Sequence, residues 1–197
     1  MLANTELPRE VILVGGGVIA LEFSHVYARA GVKVTILEAM PQLLPRHDTD
    51  AVAALQKATE ALGVSIMTDV KVMKITRDGE LLSVHIEHQG KSLILTADAV
   101  VNGAGRVANI DDLDLNAGNV EHKGYSIQVD EFFRSTSNPA VWVAGDAVAS
   151  TAQLSPIATI EGQVVARNIL ETPQHQTDYR VLPTAVYTIP ALSSVGL

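Results

Sequence analysis

Gly15-Gly16-Gly17-Val18-Ile19-Ala20 forms a G-x-G-x-x-A run, the stretch of this 197-residue sequence best suited to hold an anion. In such a run the first glycine permits a tight turn and the second lets a pyrophosphate approach the backbone. The small third residue lets a helix pack close to a strand. Free N–H groups at the start of the following helix would hold the phosphates. Glu38 stands eighteen residues beyond Ala20, near the spacing of about 20 at which an acidic side chain meets a ribose. A carboxylate there accepts from both ribose hydroxyls and repels a 2′-phosphate. Ala39 to Pro45 contains no Lys or Arg, and Arg46 is the first; the pattern predicts NAD in preference to NADP. The same residues also serve as a packing turn in α/β proteins that bind no nucleotide, with Glu38 as a solvated strand end. Val143-Ala144-Gly145-Asp146 is a second candidate, in which a carboxylate just beyond a strand can take a polyol hydroxyl. Taken alone, that tetrapeptide is also a common strand-end turn.

These groups need a βαβ frame. Val11 to Val14 reads as a strand buried on both faces. Val18 to Ala30 has apolar residues at helical steps (Ile19, Phe23, Val26, Tyr27, Ala30) and Gly31 as a stop. Val32 to Leu37 is a second strand, closed by Glu38. Pro41 and Pro45 mark a loop, and Asp48 caps a helix from Thr49 to Leu62 that ends at Gly63. The period then changes. Val64 to Met67 reads as a short strand. Val70 to Thr76, Leu81 to Glu87 and Ser92 to Thr96 form a β-meander with turns at Arg77-Asp78-Gly79 and His88-Gln89-Gly90. Ala99 to Asn102 is a further buried strand, running into Gly103-Ala104-Gly105-Arg106. Beyond a polar seam from Ala108 to Lys123, Tyr125 to Val129 reads as a short strand and Val141 to Ala144 as a buried one. A helix follows to Leu170, with Ser155 as N-cap and Pro156 at the first helical position. Thr172 to Asp178 is a linker, and Val181 to Leu197 reads as a strand and turn without a partner.

Composition narrows the function classes. Hydrophobic residues make up 47% and charged residues 18%, which suits a globular core, although at 4% aromatics that core is aliphatic. Fourteen Lys and Arg against 22 Asp and Glu give a net charge of −8, a poor match to nucleic acid or an anionic membrane. No apolar run reaches membrane-span length, and Met1 to Glu10 has no signal-peptide pattern, so the expected compartment is the cytoplasm. The sequence has no cysteine, which excludes disulfides, thiolate metal sites and thiol catalysis within these residues. His25, His47, His85, His88, His122 and His175 show no metal-ligand spacing, so no metal is expected.

Five segments occur in a fixed order: GGGVIALEFSHVYARAGVKVTILE, VVNGAGRVANI, IQVDEFFRSTSNPAVWVAGDA, LSPIATIEGQVVARNIL and LPTAVYTIPALSSVGL. Together they resemble the pyridine nucleotide–disulfide oxidoreductases, over roughly Leu7 to Leu197. The resemblance implies an α/β fold: a Rossmann-like NAD(P)-binding domain, parallel sheet plus β-meander, in residues 1–109. Residues 110–172 would be the returning segment of an FAD-binding domain, and 173–197 a linker and the truncated start of a dimerisation domain. It implies a piece of a longer protein, a homodimer in which FAD and a cysteine pair lie elsewhere in the chain.

By resemblance, Gly15, Gly16, Gly17, Val18 and Ile19 form the nucleotide loop and Glu38 the ribose ligand. NADP-using relatives carry Arg at the Glu38 position and a second Arg near Leu44. Val72, or Val70 if the strand register differs, would pack on adenine. Gly103, Gly105 and Arg106 match a loop near the nicotinamide. Glu22 matches a helix glutamate that pairs with a lysine beside the flavin, and is otherwise an ordinary solvated helix residue. Asp146 matches the ligand of the flavin ribityl chain. Leu154 and Ser155 match a helix start facing the flavin pyrimidine. Val18 replaces the flavin-shielding tyrosine of glutathione reductase and is more like dihydrolipoamide dehydrogenase. The implied activity is hydride transfer from NADH to flavin and on to a disulfide or similar acceptor. Two alternatives stand beside it: a non-catalytic dinucleotide-binding module, and a structural piece with a degenerate Rossmann domain.

Overall fold

The computed structural model describes residues 5–149, 153–171 and 174–195. Its described residues divide into two compact units, the first reaching Gly105 and taking in the segment from Leu182 onward, the second running from Arg106 to Val181. The first residues of the expected linker, Thr172 and Pro173, and the last two of the chain lie outside the described residues.

The first unit is built on a parallel sheet of order β3-β2-β1-β7. Its strands are β1 (Glu10–Val14), β2 (Lys33–Leu37), β3 (Ser65–Met67) and β7 (Ala99–Asn102). The central strand β1 pairs Val11 with both Val34 and Ala99. Its residues alternate between two cores, as a strand covered on both faces requires. Val11 and Leu13 pack with Val34 and Ile36 against helices α1 (Val18–Arg29) and α2 (Thr49–Ala61). Ile12 and Leu37 face the other way, onto Val70, Val84, Ile86 and Ala97. The last four belong to or border the antiparallel meander β4 (Val70–Asp78), β5 (Leu81–His88) and β6 (Lys91–Ala97). Asp48 caps α2 by accepting from the N–H groups of Asp50 and Ala51, an interaction worth about 1 kcal/mol.

Four expectations are corrected. Val181 to Leu197 is not unpartnered: β10 (Pro183–Val186) and β11 (Leu192–Val195) form an antiparallel hairpin, and Val186 is buried in the helix-side core. In the second unit, Val141 to Ala144 does not form a strand. Trp142 makes one isolated bridge to Arg134, and Val143 N–H donates to the Phe133 carbonyl. A run of this kind becomes a strand only beside a neighbouring ladder, and among the described residues none flanks it. The strand expected at Tyr125 to Val129 shrinks to β9 (Ser126–Ile127), paired with β8 (His122–Lys123).

The long helix α3 (Ser155–Leu170) is present, with the fourth correction at its start. Leu154 is the N-cap and Ser155 already helical, with no side-chain cap. Pro156 still fits there, because N–H groups in the first helical turn have no intrahelical partner. The second unit's core gathers Ala108, Ile110, Val120, Ile127, Phe133, Val143 and Val148.

Candidate functional site

In the first unit, the turn from β1 into α1 meets the C-terminal ends of β2 and β7. Gly15 has φ +104°, and a Cβ there would stand 2.7 Å from the Gly103 carbonyl carbon. Gly15 N–H donates to the Leu37 carbonyl, and Gly103 N–H to the Val14 carbonyl. At Gly16 a Cβ would lie 2.6 Å from Leu43 Cδ2 and 2.8 Å from Glu38 Oε2. A Cβ on Gly103 would meet the Ala20 methyl at 3.1 Å, which explains the small residue ending the G-x-G-x-x-A run. Gly17 differs from these glycines. A Cβ there would meet nothing within 4 Å, so its missing side chain leaves room in front of the helix. Gly17 is the N-cap of α1, with no side-chain cap and no acidic residue in the first turn. The N–H groups around Val18 and Ile19 therefore have no side-chain acceptor of their own helix competing for them.

Glu38 is 8% exposed. Its Oε2 accepts from Gly16 N–H, and its Oε1 from Met40 N–H at 2.7 Å. Each carboxylate oxygen keeps a further lone pair. Leu44, where a second Arg would mark NADP use, is buried in the core, and Arg46 is exposed. Val70 is buried between sheet and meander, whereas Val72 is half-buried and keeps free surface. Glu22, on α1, accepts the Tyr187 N–H at 2.8 Å through Oε1.

A second arrangement lies wholly in the second unit. Asp146 sits in a short 3-10 turn, Gly145–Ala147. That turn rests on the first turn of α3, where a Cβ on Gly145 would be 3.2 Å from the Ala158 methyl. Arg106 approaches Asp146 Oδ2 at 3.8 Å and donates to the Gln153 carbonyl at 3.2 Å, just ahead of Leu154 and Ser155. The N-terminus of α3, like that of α1, carries no side-chain cap and no acidic residue in its first turn. Glu161, on α3 and wholly buried, accepts from Gly145 N–H at 2.7 Å and from the Tyr179 hydroxyl at 2.6 Å. Burial, reinforced by the Glu161 carboxylate, pushes the Tyr179 phenol far above its ordinary range.

A family profile described as "Pyridine nucleotide-disulphide oxidoreductase" matches residues 1–164. The chain belongs to this family. Members use FAD and a pyridine nucleotide. A dihydrolipoyl dehydrogenase of Rhizobium etli is 33% identical over 193 residues, covering 97% of this chain and 40% of that protein. A mercuric reductase of Staphylococcus aureus is 29% identical, covering 98% of this chain and 35% of its own length. Among solved structures, the HOCl-induced flavoprotein disulfide reductase RclA of Escherichia coli superimposes with a TM-score of 0.89 at 29% identity. That match spans all of this chain and 44% of RclA. The chain thus spans about two-fifths of the length of these flavoprotein relatives. The α/β fold with its parallel sheet and antiparallel strands is that of flavoprotein disulfide reductases.

Within the oxidoreductase frame, the candidate residues gather in two places. Gly15, Gly16, Gly17, Val18, Ile19, Glu38 and Gly103 come together at the strand ends of the first unit, with Gly105 two residues further on and Val72 on the meander. Arg106, Asp146, Leu154 and Ser155 lie together in the second. Sequence reasoning missed three contributors. Leu43 closes over Gly16. Asn102 Oδ1 accepts the Ala104 N–H at 3.1 Å and shapes the loop. Glu161 holds the Asp146 turn, and it had a signal: a carboxylate at a core position, sharing the buried face of α3 with Ile157 and Asn168.

Proposed function

We propose that these residues are the NADH-binding part of an FAD-dependent oxidoreductase, and that the 197-residue chain alone binds dinucleotide without turnover. The observation that carries this reading is the room left at Gly17, in front of an uncapped helix and beside the buried Glu38 carboxylate. The N–H groups of Val18 and Ile19 would hold the pyrophosphate and Glu38 the adenosine ribose. The half-buried Val72 would offer an apolar surface to adenine, and the Gly103–Gly105–Arg106 loop would lie toward the nicotinamide.

In the longer protein, Asp146 would bind the ribityl chain of FAD, with Leu154 and Ser155 presenting N–H groups to its pyrimidine ring. When bound, the nicotinamide and the flavin would supply hydride and electron-transfer chemistry toward a disulfide or similar acceptor. The positive end of α3 would stabilise negative charge on the flavin ring, and Glu22, whose Oε1 holds the Tyr187 N–H, would offer its other oxygen to a cationic side chain of the longer protein. The longer protein would act as a homodimer in the cytoplasm.

Calorimetric titration of the full 197-residue chain tests this reading. NADH binds more tightly than NADPH by about 1–3 kcal/mol, the scale of one mispaired buried charge. The purified chain is colourless and has no NADH-dependent reductase activity. Failure to bind NADH, equal affinities, or visible flavin absorbance would each overturn the corresponding part.

A further inference from the structure

Three polar side chains on one face of α1 reach the turn between β10 and β11. Glu22 accepts from Tyr187 N–H at 2.8 Å, His25 Nδ1 accepts from Ile189 N–H at 3.3 Å, and Arg29 donates to the Ile189 carbonyl at 3.5 Å. His25 is the buried member, 3% exposed. Its Nε2 lies 2.9 Å from Thr59 Oγ1 on α2. The Thr59 hydroxyl already donates its hydrogen to the Leu55 carbonyl at 2.8 Å. Toward His25 it can therefore only accept, so Nε2 carries the ring proton and Nδ1 is bare. That bare nitrogen receives the Ile189 N–H.

We propose that His25 is a proton-operated latch: neutral, it ties the β10–β11 turn to α1, and protonation at Nδ1 releases the turn while the sheet and both helices stay folded. A proton on Nδ1 would set one N–H against another and leave the Ile189 amide without its acceptor. Release stays local because Val186 and Leu192, at the two ends of the turn, are packed in the core.

The charged groups around the ring are few. On α1 they are Glu22, which is engaged with Tyr187, and Arg29. On α2, Thr59 faces the ring while Asp50, Lys57 and Glu60 are exposed. From Pro183 to Val195 the only ionisable side chain is the exposed Tyr187. Burial holds the ring below the ordinary histidine value of 6.5, and Arg29 acts in the same direction. With the folded-state value depressed, the closed latch has its full stability above pH 6.5 and weakens as pH falls toward the folded-state value. The device is independent of whether the chain binds a nucleotide.

The test is amide hydrogen exchange, resolved by residue, on the full chain from pH 8 to pH 5 and corrected for intrinsic rates. Protection of Ile189 falls by up to about tenfold per pH unit below 6.5, while that of Leu13 and Ile36 in the sheet holds. Nitrogen shifts of the His25 ring report the Nε2–H form at pH 8. In His25→Gln, which does not titrate in this range, the turn loses its pH dependence. Should that variant not fold, the wild-type profile decides alone. Ile189 protection that is flat across the range, an Nδ1–H ring at pH 8, or an unchanged pH profile in folded His25→Gln would overturn the proposal.

Discussion

Glu38 holds the glycine turn in this structure, and the proposed function gives it a second role at the ribose; substitutions at Glu38 test both. Its carboxylate is nearly buried and accepts two backbone N–H groups, from Gly16 in the glycine turn and from Met40. Hydrogen bonds to a charged acceptor are worth about 1.5–3 kcal/mol each, and a buried donor left bare costs a similar amount. Glu38→Ala also leaves space beside Gly16 and Leu43. The expected loss of stability is about 2–5 kcal/mol, lowering the thermal midpoint by about 2–4 °C per kcal/mol. Both nucleotides bind more weakly, since the turn that presents the helix N-terminus is no longer fixed. NADH loses more than NADPH, because the alanine removes the ribose acceptor along with the charge that repels a 2′-phosphate. The gap of about 1–3 kcal/mol therefore narrows. Glu38→Gln keeps the volume and one acceptor oxygen, so it retains more stability than Ala while still narrowing the gap. Calorimetric titration and thermal melts on the same samples read both quantities. A Glu38→Ala protein with wild-type midpoint and an unchanged NADH-to-NADPH ratio would refute both roles at once.

Gly15→Ala forces a Cβ to within 2.7 Å of the Gly103 backbone at a φ of +104°; the turn must move, and the expected result is a large loss of midpoint together with NADH binding. Gly17→Ala meets no protein atom within 4 Å, so it leaves the stability within about 1 kcal/mol of wild type while weakening NADH, as paired melts and titrations would register. Glu161→Leu leaves the part-buried Gly145 N–H and Tyr179 hydroxyl without the carboxylate and destabilises the second unit by about 1–3 kcal/mol. In that variant the Tyr179 phenol, now pushed up by burial and the carboxylate, loses the carboxylate's share, and spectrophotometric titration follows its descent.

Local signals made the βαβ unit readable. Its period switches from two-sided apolar runs to helical spacing and back, with Gly31 and Asp48 as punctuation. The meander was readable because its turns are glycine turns. Val141 to Ala144 misled because an apolar run records burial, while strand pairing depends on a neighbour that the run itself does not encode. The hairpin was missed because one of its strands is Leu192-Ser193-Ser194-Val195, a weak β pattern that gains order from pairing with Pro183–Val186. The contacts of Glu22 and His25 span 165 and 164 positions. No local periodicity reports that a helix carboxylate ends on a backbone N–H so far along the chain.

The two candidate sites share a physical device that neither motif spells out. In each unit a buried glutamate grips the N–H of a glycine in the turn beside an uncapped helix: Glu38 on Gly16, Glu161 on Gly145. A glycine turn is conformationally permissive, and a carboxylate holding one of its peptide groups fixes how the remaining N–H groups point. The two grips differ in what they leave over. Glu161 has no exposed surface, and its second oxygen is taken by Tyr179, so on the proposed reading recognition in that unit is left to the neighbouring, half-exposed Asp146. Glu38 keeps some exposure at the mouth of its helix, so the same carboxylate can hold the loop and meet a ligand. An exchange that conserves charge but not reach, Glu38→Asp, should therefore harm nucleotide binding more than its unchanged charge suggests, because a side chain shorter by one methylene cannot serve Gly16, Met40 and a ribose together.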